Sequence, residues 1–358
     1  MKILHIAHIT NTPFSGVCSV VPEYLKSQHI KADVALLNVA NEKINGIEHC
    51  FLYKNNWKNS VSLEYQNPDI VIFHEVYYWS YIQIAKDLFR EKIPYVIIPH
   101  GCLVKDALRK KWLKKYTANF LFFNAFIKKA QAVQCLSEKE LINTHFSVYK
   151  YICTNGISIP QIIKQDFHAD GLKITYIGRL EVHVKGLDIM ISAVKNVSEF
   201  LRQNKVRINI FGPDVNGMFS KIESMITYNQ LNDIIILHHE ISGKEKEYTL
   251  YDSDIFIQTS RHEGMPMGIL EAMSLGLPCL VTRGTSLGEI IERYDAGWVA
   301  DTTIDSLAKT LIMAISQKGS LQVKSKNARR LVVDNFAWDK LSNQTLEIYN
   351  TIINNKYI

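Results

Sequence analysis

Short apolar runs of about four to seven residues alternate with amphipathic helical spacing from one end of this 358-residue chain to the other. No other feature restricts the fold as much. Strands joined by helices can pair in parallel, because a parallel pair needs a long crossover and a helix is the crossover that packs back on the sheet. In the first half the pattern predicts strands at 2–8, 33–37, 70–74, 95–99, 132–135 and 151–153. Predicted helices lie near 16–26, 78–90, 106–129 and 137–145, the last opened by a capping box with Ser137 at the N-cap and Glu140 at N3. After the turn-rich "TNGISIP", which ends at Pro160, the alternation restarts, with strands at 172–178, 206–212, 233–237, 254–258 and 278–282. The economical reading is α/β, with two doubly wound Rossmann-like domains facing a cleft, 1–158 and 159–337. The closing "FAWDKLSNQTLEIYNTII" is a further amphipathic helix with Trp338, Leu341, Leu346, Tyr349 and Ile353 on its apolar side.

Charge is uneven along the chain. Residues 1–156 carry 19 Lys+Arg against 12 Asp+Glu, and the remainder carries 22 against 23. The six cysteines are scattered without a Cys-x-x-Cys pair, which predicts reduced thiols in the cytoplasm rather than a disulfide framework or a zinc site. No apolar run approaches the ~20 residues of a membrane span, and "MKILHIAHIT" reads as a first strand rather than a leader.

In open α/β sheets ligands bind beyond the carboxyl ends of the strands. The polar residues that follow strands directly are therefore the candidates. Gly16 opens a helix after the first strand, and His100-Gly101 follows the strand at 95–99. Arg179 and Lys185 follow 172–178, and Glu263-Gly264 follows 254–258. Arg179 and Lys185 make a plausible diphosphate clamp, each charge-assisted contact contributing ~1.5–3 kcal/mol. An ordinary strand-end arginine and a solvated lysine fit those two residues equally well. In "SRHEGMPMGILEAMSLGLPC", Glu263 and Glu271 stand eight positions apart across a Gly-Met-Pro-Met-Gly loop. Pro266 suits the first helical position, and Gly276 and Pro278 stop the helix. The free amides of Met267 and Gly268 then face an anion at the helix start, with Glu263 before them and Glu271 further along.

Together these segments resemble the family-4 retaining glycosyltransferases of the GT-B fold, of bacterial surface polysaccharide type. The resemblance runs through "FSGVCSVVPEYL" (14–25), "PDIVIFHE" (68–75), "IPHGCL" (98–103), "CLSEKE" (135–140), "NGI" (155–157), "IGRLEVHVKGLD" (177–188), "FGP" (211–213), "SRHEGMPMGILEAMSLGLP" (260–278) and the closing "FAWDKL". It implies transfer of a sugar from a nucleoside-diphosphate-sugar to a hydroxyl of a glycan or lipid-linked glycan, without metal or other cofactor. Arg179 and Lys185 would then hold the diphosphate with the Met267 and Gly268 amides, and Glu271 the ribose. Glu263 and the loop of Gly264, Met265, Pro266 and Gly268 would position the transferred sugar. His100 would contact that sugar near its reacting carbon, and Gly16 would approach the phosphates. The final helix, 338–356, would cross back onto the first domain. Many relatives have Gly-Gly in the first loop where this chain has Ser15-Gly16.

Other features weigh less. "YDSDIF" holds an Asp-x-Asp at Asp252 and Asp254, read as strand entry rather than a metal site. "EISGKEK" after the strand at 233–237 is either a nucleobase loop or plain surface. The run from Lys105 to Lys129 has eight basic residues and one acid, and as a basic amphipathic helix suits an anionic membrane surface at the inner face of the cell membrane. No nucleic-acid reader motif accompanies it. The alternatives are a GT-B nucleotide-sugar epimerase and a non-catalytic nucleotide-sugar-binding subunit. A nicotinamide dehydrogenase lacks support, since no Gly-x-Gly-x-x-Gly follows the first strand.

Overall fold

A computed structural model of the chain describes residues 1–12, 16–103 and 123–354. It divides into two units, Met1–Gly156 with Trp338–Ile358, and Ile157–Ala337. Each is built on one parallel sheet.

The first unit's strands are β1 (Lys2–Ala7), β2 (Asp33–Asn38), β3 (Cys50–Leu52), β4 (Ile70–His74), β5 (Tyr95–Ile98), β6 (Ala132–Cys135) and β7 (Lys150–Ile152), in the spatial order β3-β2-β1-β4-β5-β6-β7. The order reverses between β1 and β4, the switch point at which doubly wound sheets bind ligands. In the second unit the strands are β8 (Lys173–Ile177), β9 (Arg207–Phe211), β10 (Ile235–His238), β11 (Ile255–Gln258), β12 (Cys279–Thr282) and β13 (Gly297–Ala300), ordered β10-β9-β8-β11-β12-β13. Its switch point falls between β8 and β11. Central strands are buried on both faces, as parallel sheets covered by helices require. Ile3, Leu4, Ile70, Val71, Ile257 and Leu280 are all sealed from solvent.

Two strands exceed the sequence expectation, β3 and β13. Both are sheet edges of three or four residues, too short to show a period. The predicted helix at 106–129 lies outside the described residues except for its end, where Asn124–Lys128 is helical.

The last helix, Trp338–Asn354, is part of the first unit and buries Trp338, Leu341, Leu346 and Tyr349. Polar contacts fix its rotation. Gln28 Nε2 donates to Thr345 Oγ1 at 3.2 Å, and the Tyr24 and Tyr349 hydroxyls lie 3.1 Å apart. Trp338 sits edge-on to Tyr24, with centroids 5.2 Å apart. Among the described residues no helix is long and apolar enough to cross a membrane.

Candidate active site

The second unit's switch point gathers the residues of its two signature motifs. Lys185 lies just before the helix Leu187–Asn196, whose N-cap is Gly186. Gly186 has φ +66, and a Cβ there would stand 2.0 Å from the Thr259 carbonyl, so the loop after β8 meets the loop after β11 only because this residue is glycine. Thr259 Oγ1 donates to the Lys185 and Gly186 carbonyls at 3.1 and 3.0 Å. Arg261 completes the junction with a bidentate pair to Asp188, both contacts 2.7 Å. Burial disfavours the charge on Asp188, but the Arg261 guanidinium together with the Asp188 and Ile189 amides outweighs it and holds the carboxyl below the ordinary carboxylate range.

This stitching brings Lys185 and Glu263 together as an ion pair, their side chains only 11% and 15% exposed. Gln258 Nε2 donates to the same Glu263 oxygen at 2.8 Å. The Glu263 amide donates to the Gly284 carbonyl at 3.1 Å, and Ser286 Oγ donates to the Gly264 carbonyl at 2.6 Å, which pins the acid loop. Pro266 is the N-cap of the helix Met267–Ser274, one position earlier than the sequence placed it. The helix is therefore entered by extended backbone at the proline, whose carbonyl accepts from the Ile269 amide at 3.1 Å. Met265 and Met267 pack their side chains against the core cluster containing Ile269 and Phe256, so they offer a ligand their backbone. Among the described residues the Met267 and Gly268 amides have no acceptor, as the first amides of a helix do not.

Glu271 lies apart from that pair. Its Oε2 is paired with the Lys246 ammonium, which approaches off the hydrogen-bonding direction. Lys246 belongs to the "EISGKEK" segment and lies in the helix Gly243–Asp252. Arg179 is not drawn into either cluster; its side chain is 56% exposed and comes no nearer than 3.8 Å to Glu181. Its carbonyl accepts from the buried Tyr176 hydroxyl at 3.0 Å. Burial raises the Tyr176 pKa, and the negative charge of Glu263 raises it further. Asp254, of the Asp-x-Asp, is fully buried and accepts from the His168 and Lys173 amides at 2.9 and 2.8 Å.

In the first unit, His100 and Gly101 form a turn after β5, at φ +50 and +82. A histidine in the left-handed region is uncommon, and it persists where neighbours fix it. Glu140 is one such neighbour. Ser137 caps the helix Glu138–Asn143 as expected, accepting from the Glu140 amide at 3.2 Å. The Glu140 carboxylate does not close the box onto Ser137, however; it accepts from the Leu136 and Gly101 amides, both at 2.7 Å. Burial raises its pKa while those amides pull it down. A residue predicted as a helix cap thus holds the histidine turn. Glu140→Gln would turn one amide N–H against another, and leaving a buried donor unpaired costs about 1–3 kcal/mol. Thermal unfolding of this variant is expected to show a midpoint lower by roughly 2–12 °C. Gly16 opens the helix Gly16–His29 beside residues 13–15, which are not described, and no described atom lies within 4 Å of a Cβ built on it.

Residue types alone could have pointed to Gln258 and Tyr176 only once the two loops were known to meet, whereas Arg261 directly follows the strand run beside Glu263. Lys246 lay in a segment already singled out.

Comparison with known proteins places this arrangement. The family described as "Glycosyl transferases group 1" matches residues 159–331, nearly the whole second unit. An uncharacterised 41.2 kDa protein in the cps region of Klebsiella pneumoniae is 21% identical over 80% of this chain and 83% of its own length. A UDP-Gal:alpha-D-GlcNAc-diphosphoundecaprenol alpha-1,3-galactosyltransferase of Escherichia coli is 33% identical over a shorter stretch, 29% of this chain and 27% of its own. Among solved structures, HepE of Anabaena in complex with UDP and glucose superposes with a TM-score of 0.73 at 17% identity, covering 98% of this chain and 100% of that one. The second unit belongs to the group 1 glycosyl transferases, and the chain as a whole has the two-domain GT-B fold.

Proposed function

We propose that the chain transfers a sugar from a nucleoside-diphosphate-sugar to a hydroxyl of a glycan or lipid-linked glycan acceptor, with retention of anomeric configuration and without a metal, in the assembly of a bacterial surface polysaccharide. One observation carries this reading: the unoccupied amides of Met267 and Gly268 open a helix directly after the Lys185–Glu263 pair. Backbone donors, the positive end of a helix and an ammonium converge where a diphosphate leaving group gains charge. Arg179, exposed in the loop after β8, is free to add a guanidinium to the same phosphates. Glu263 sets a negative charge beside the sugar as its reacting carbon turns oxocarbenium-like, and it need not attack that carbon. Glu271 lies further along that helix and is met by Lys246 from the helix Gly243–Asp252, where the ribose and base would sit. The relatives support the same direction: one is named for a galactosyl transfer to a diphosphoundecaprenol-linked sugar, and one lies in a cps region. A lipid-linked acceptor would bring the protein to the inner face of the membrane. Most of the basic run from Lys105 to Lys129 that would meet that surface, residues 105–122, lies outside the described residues.

Thermal unfolding with UDP, GDP, ADP, dTDP and CMP in EDTA tests the donor site. A ligand at a hundred times its Kd stabilises by ~2.7 kcal/mol. One nucleotide is expected to raise the midpoint, and Arg179→Ala to remove the shift. Transfer from the matching sugar nucleotide then gives a product whose anomer NMR reads. An inverted anomer, or loss of transfer on adding EDTA, would overturn the mechanism. No shift with any nucleotide or intact sugar nucleotide would overturn the donor site itself.

A further inference from the structure

Three histidines of the first unit form one hydrogen-bonded column, and only its last ring, His100, is expected from the family resemblance to meet the sugar. Sheet register builds the column. His5 on β1 stands opposite Ile72 on β4, so His74, two residues on, projects from the same face. His74 stands opposite Ile98, the last residue of β5, and the left-handed turn that follows brings His100 against the His74 ring. The three imidazoles therefore climb diagonally toward the carboxyl ends of the strands. Neighbouring rings stack with centroids 5.2 and 5.3 Å apart. His5 Nδ1 lies 2.9 Å from His74 Nε2, and His74 Nδ1 lies 3.0 Å from His100 Nε2. Below His5 the chain continues, with His5 Nε2 2.9 Å from Gln28 Oε1 and Gln28 Nε2 3.2 Å from Thr345 Oγ1.

The direction of every donor in this column follows from its lower end. Thr345 has a single hydroxyl proton, and it faces the Leu341 and Ser342 carbonyls at 3.1 and 2.9 Å. Thr345 Oγ1 must therefore accept from Gln28, which turns Gln28 Oε1 toward His5. His5 then donates from Nε2. A neutral imidazole that donates from one nitrogen accepts at the other, so His5 Nδ1 accepts from His74 Nε2. The same step repeated gives a His100 ring that donates from Nε2 to His74 Nδ1. Neutrality follows from the surroundings: His5 and His74 are fully buried, and no carboxylate bonds to them among the described residues. The groups packed on these rings are the uncharged Tyr24, edge-on to His5 and His74, and Tyr81, whose hydroxyl donates to the His74 carbonyl at 2.9 Å. Burial accordingly lowers all three histidine pKa values.

We infer that Thr345, Gln28, His5 and His74 are positioning residues that lock His100 in the tautomer protonated on Nε2, so that Nδ1 presents a lone pair and accepts a hydrogen bond from a hydroxyl of the bound sugar or acceptor. The identity of that hydroxyl rests on the proposed transfer; the tautomer does not. His100 Nδ1 has no hydrogen-bond partner among the described residues. A ring so locked can receive a proton or orient a hydroxyl, and cannot donate to a sugar oxygen from that nitrogen.

The test is made on the full chain without substrate, labelled with 15N in its histidine rings. Long-range 1H–15N spectra distinguish protonated from bare ring nitrogens, and the His100 signals are identified by their loss in His100→Gln. In the wild type, His5, His74 and His100 are expected to be neutral with bare Nδ1. Gln28→Met and Thr345→Val remove the anchor, and in either the His100 Nδ1 signal is expected to move toward the protonated position. A wild-type His100 that is charged or protonated on Nδ1 overturns the inference, whether or not the variants fold. A His100 signal unchanged in both variants overturns the lock. Failure of the donor reading would show only in the nucleotide-binding experiment and leaves these spectra unaffected.

Discussion

Lys185→Ala is expected to abolish stabilisation by nucleotide and to lower sugar transfer by about 100–1000-fold, the scale of losing one preorganised charge partner of a developing anion. The same substitution should lower the melting midpoint, because Lys185 has two roles. In the resting protein its ammonium neutralises Glu263, a carboxylate only 15% exposed, whose other partner is the Gln258 amide. Stripping one ion from a buried pair costs about 3–5 kcal/mol. Residual exposure of this pair brings the expected loss to roughly 2–3 kcal/mol, or about 4–12 °C for a unit of this size. A donor diphosphate would take over the ammonium and release Glu263 to the sugar, so the pair holds both side chains in place until the donor arrives. The two roles separate in a double variant. Lys185→Ala with Glu263→Gln removes the unpaired charge and should recover most of the midpoint, yet recover none of the transfer. Melting curves and initial rates for the wild type, the single variant and the double variant make the comparison. Wild-type rates in Lys185→Ala, or rates recovered in the double variant, would sink the assigned role.

The α/β alternation was legible because each buried parallel strand is a dense apolar run of its own. Its edges were not: β3 and β13 have few residues to set a pattern, and pairing with a neighbour, not composition, makes them strands. The glycine-proline punctuation around Met267 located a helix start to within one residue, since Pro266 fixes its own φ but does not decide whether it is the N-cap or N1. The site was harder to read for a physical reason. Glu140 satisfied a local rule at short range while its carboxylate was drawn 39 residues away to the Gly101 amide, which no local pattern reports. Lys246 and Glu271, 25 positions apart, form a pair that likewise depends on tertiary placement. The histidine column is the opposite case. His5, His74 and His100 each end or interrupt a strand-like run; once the order β1-β4-β5 and its register are known, the two-residue period puts His5 and His74 on one face, and the turn after β5 brings His100 onto His74. Single positions suggested roles; register determined which positions could act together.

That column makes the first unit sensitive to acid, and the expected direction is fixed by what burial does to each imidazole. It lowers the pKa of His5 and His100 from 6.5 to about 4, and it holds that of His74 well below the ordinary imidazole range. Below about pH 6.5 the unfolded chain takes up protons on these rings while the folded one does not, so stability is fully present above that pH and is lost as pH falls toward 4. A tenfold difference in proton affinity between the folded and unfolded chain is worth about 1.4 kcal/mol, so the sealed His5 alone accounts for roughly 3 kcal/mol over the window. Glu75 and Glu140 act against this trend, since burial raises both carboxyls and falling pH relieves them. Their relief is smaller, because the Tyr78 hydroxyl at 2.7 Å and the two amides on Glu140 already favour the ionised forms. Urea unfolding between pH 4.5 and 7.5 reads the balance, followed by tryptophan fluorescence. Trp298 is the one tryptophan of five within Ile157–Ala337, so the signal reports mainly on the first unit. The free energy of unfolding is expected to fall with pH at a slope above one proton, and His5→Gln to reduce that slope by about one, because glutamine keeps a donor and an acceptor in the column and cannot be protonated. A flat profile above pH 5 in the wild type would mean that the rings are charged or solvated in the native state. A slope unchanged by His5→Gln would assign the acid sensitivity to groups outside the column.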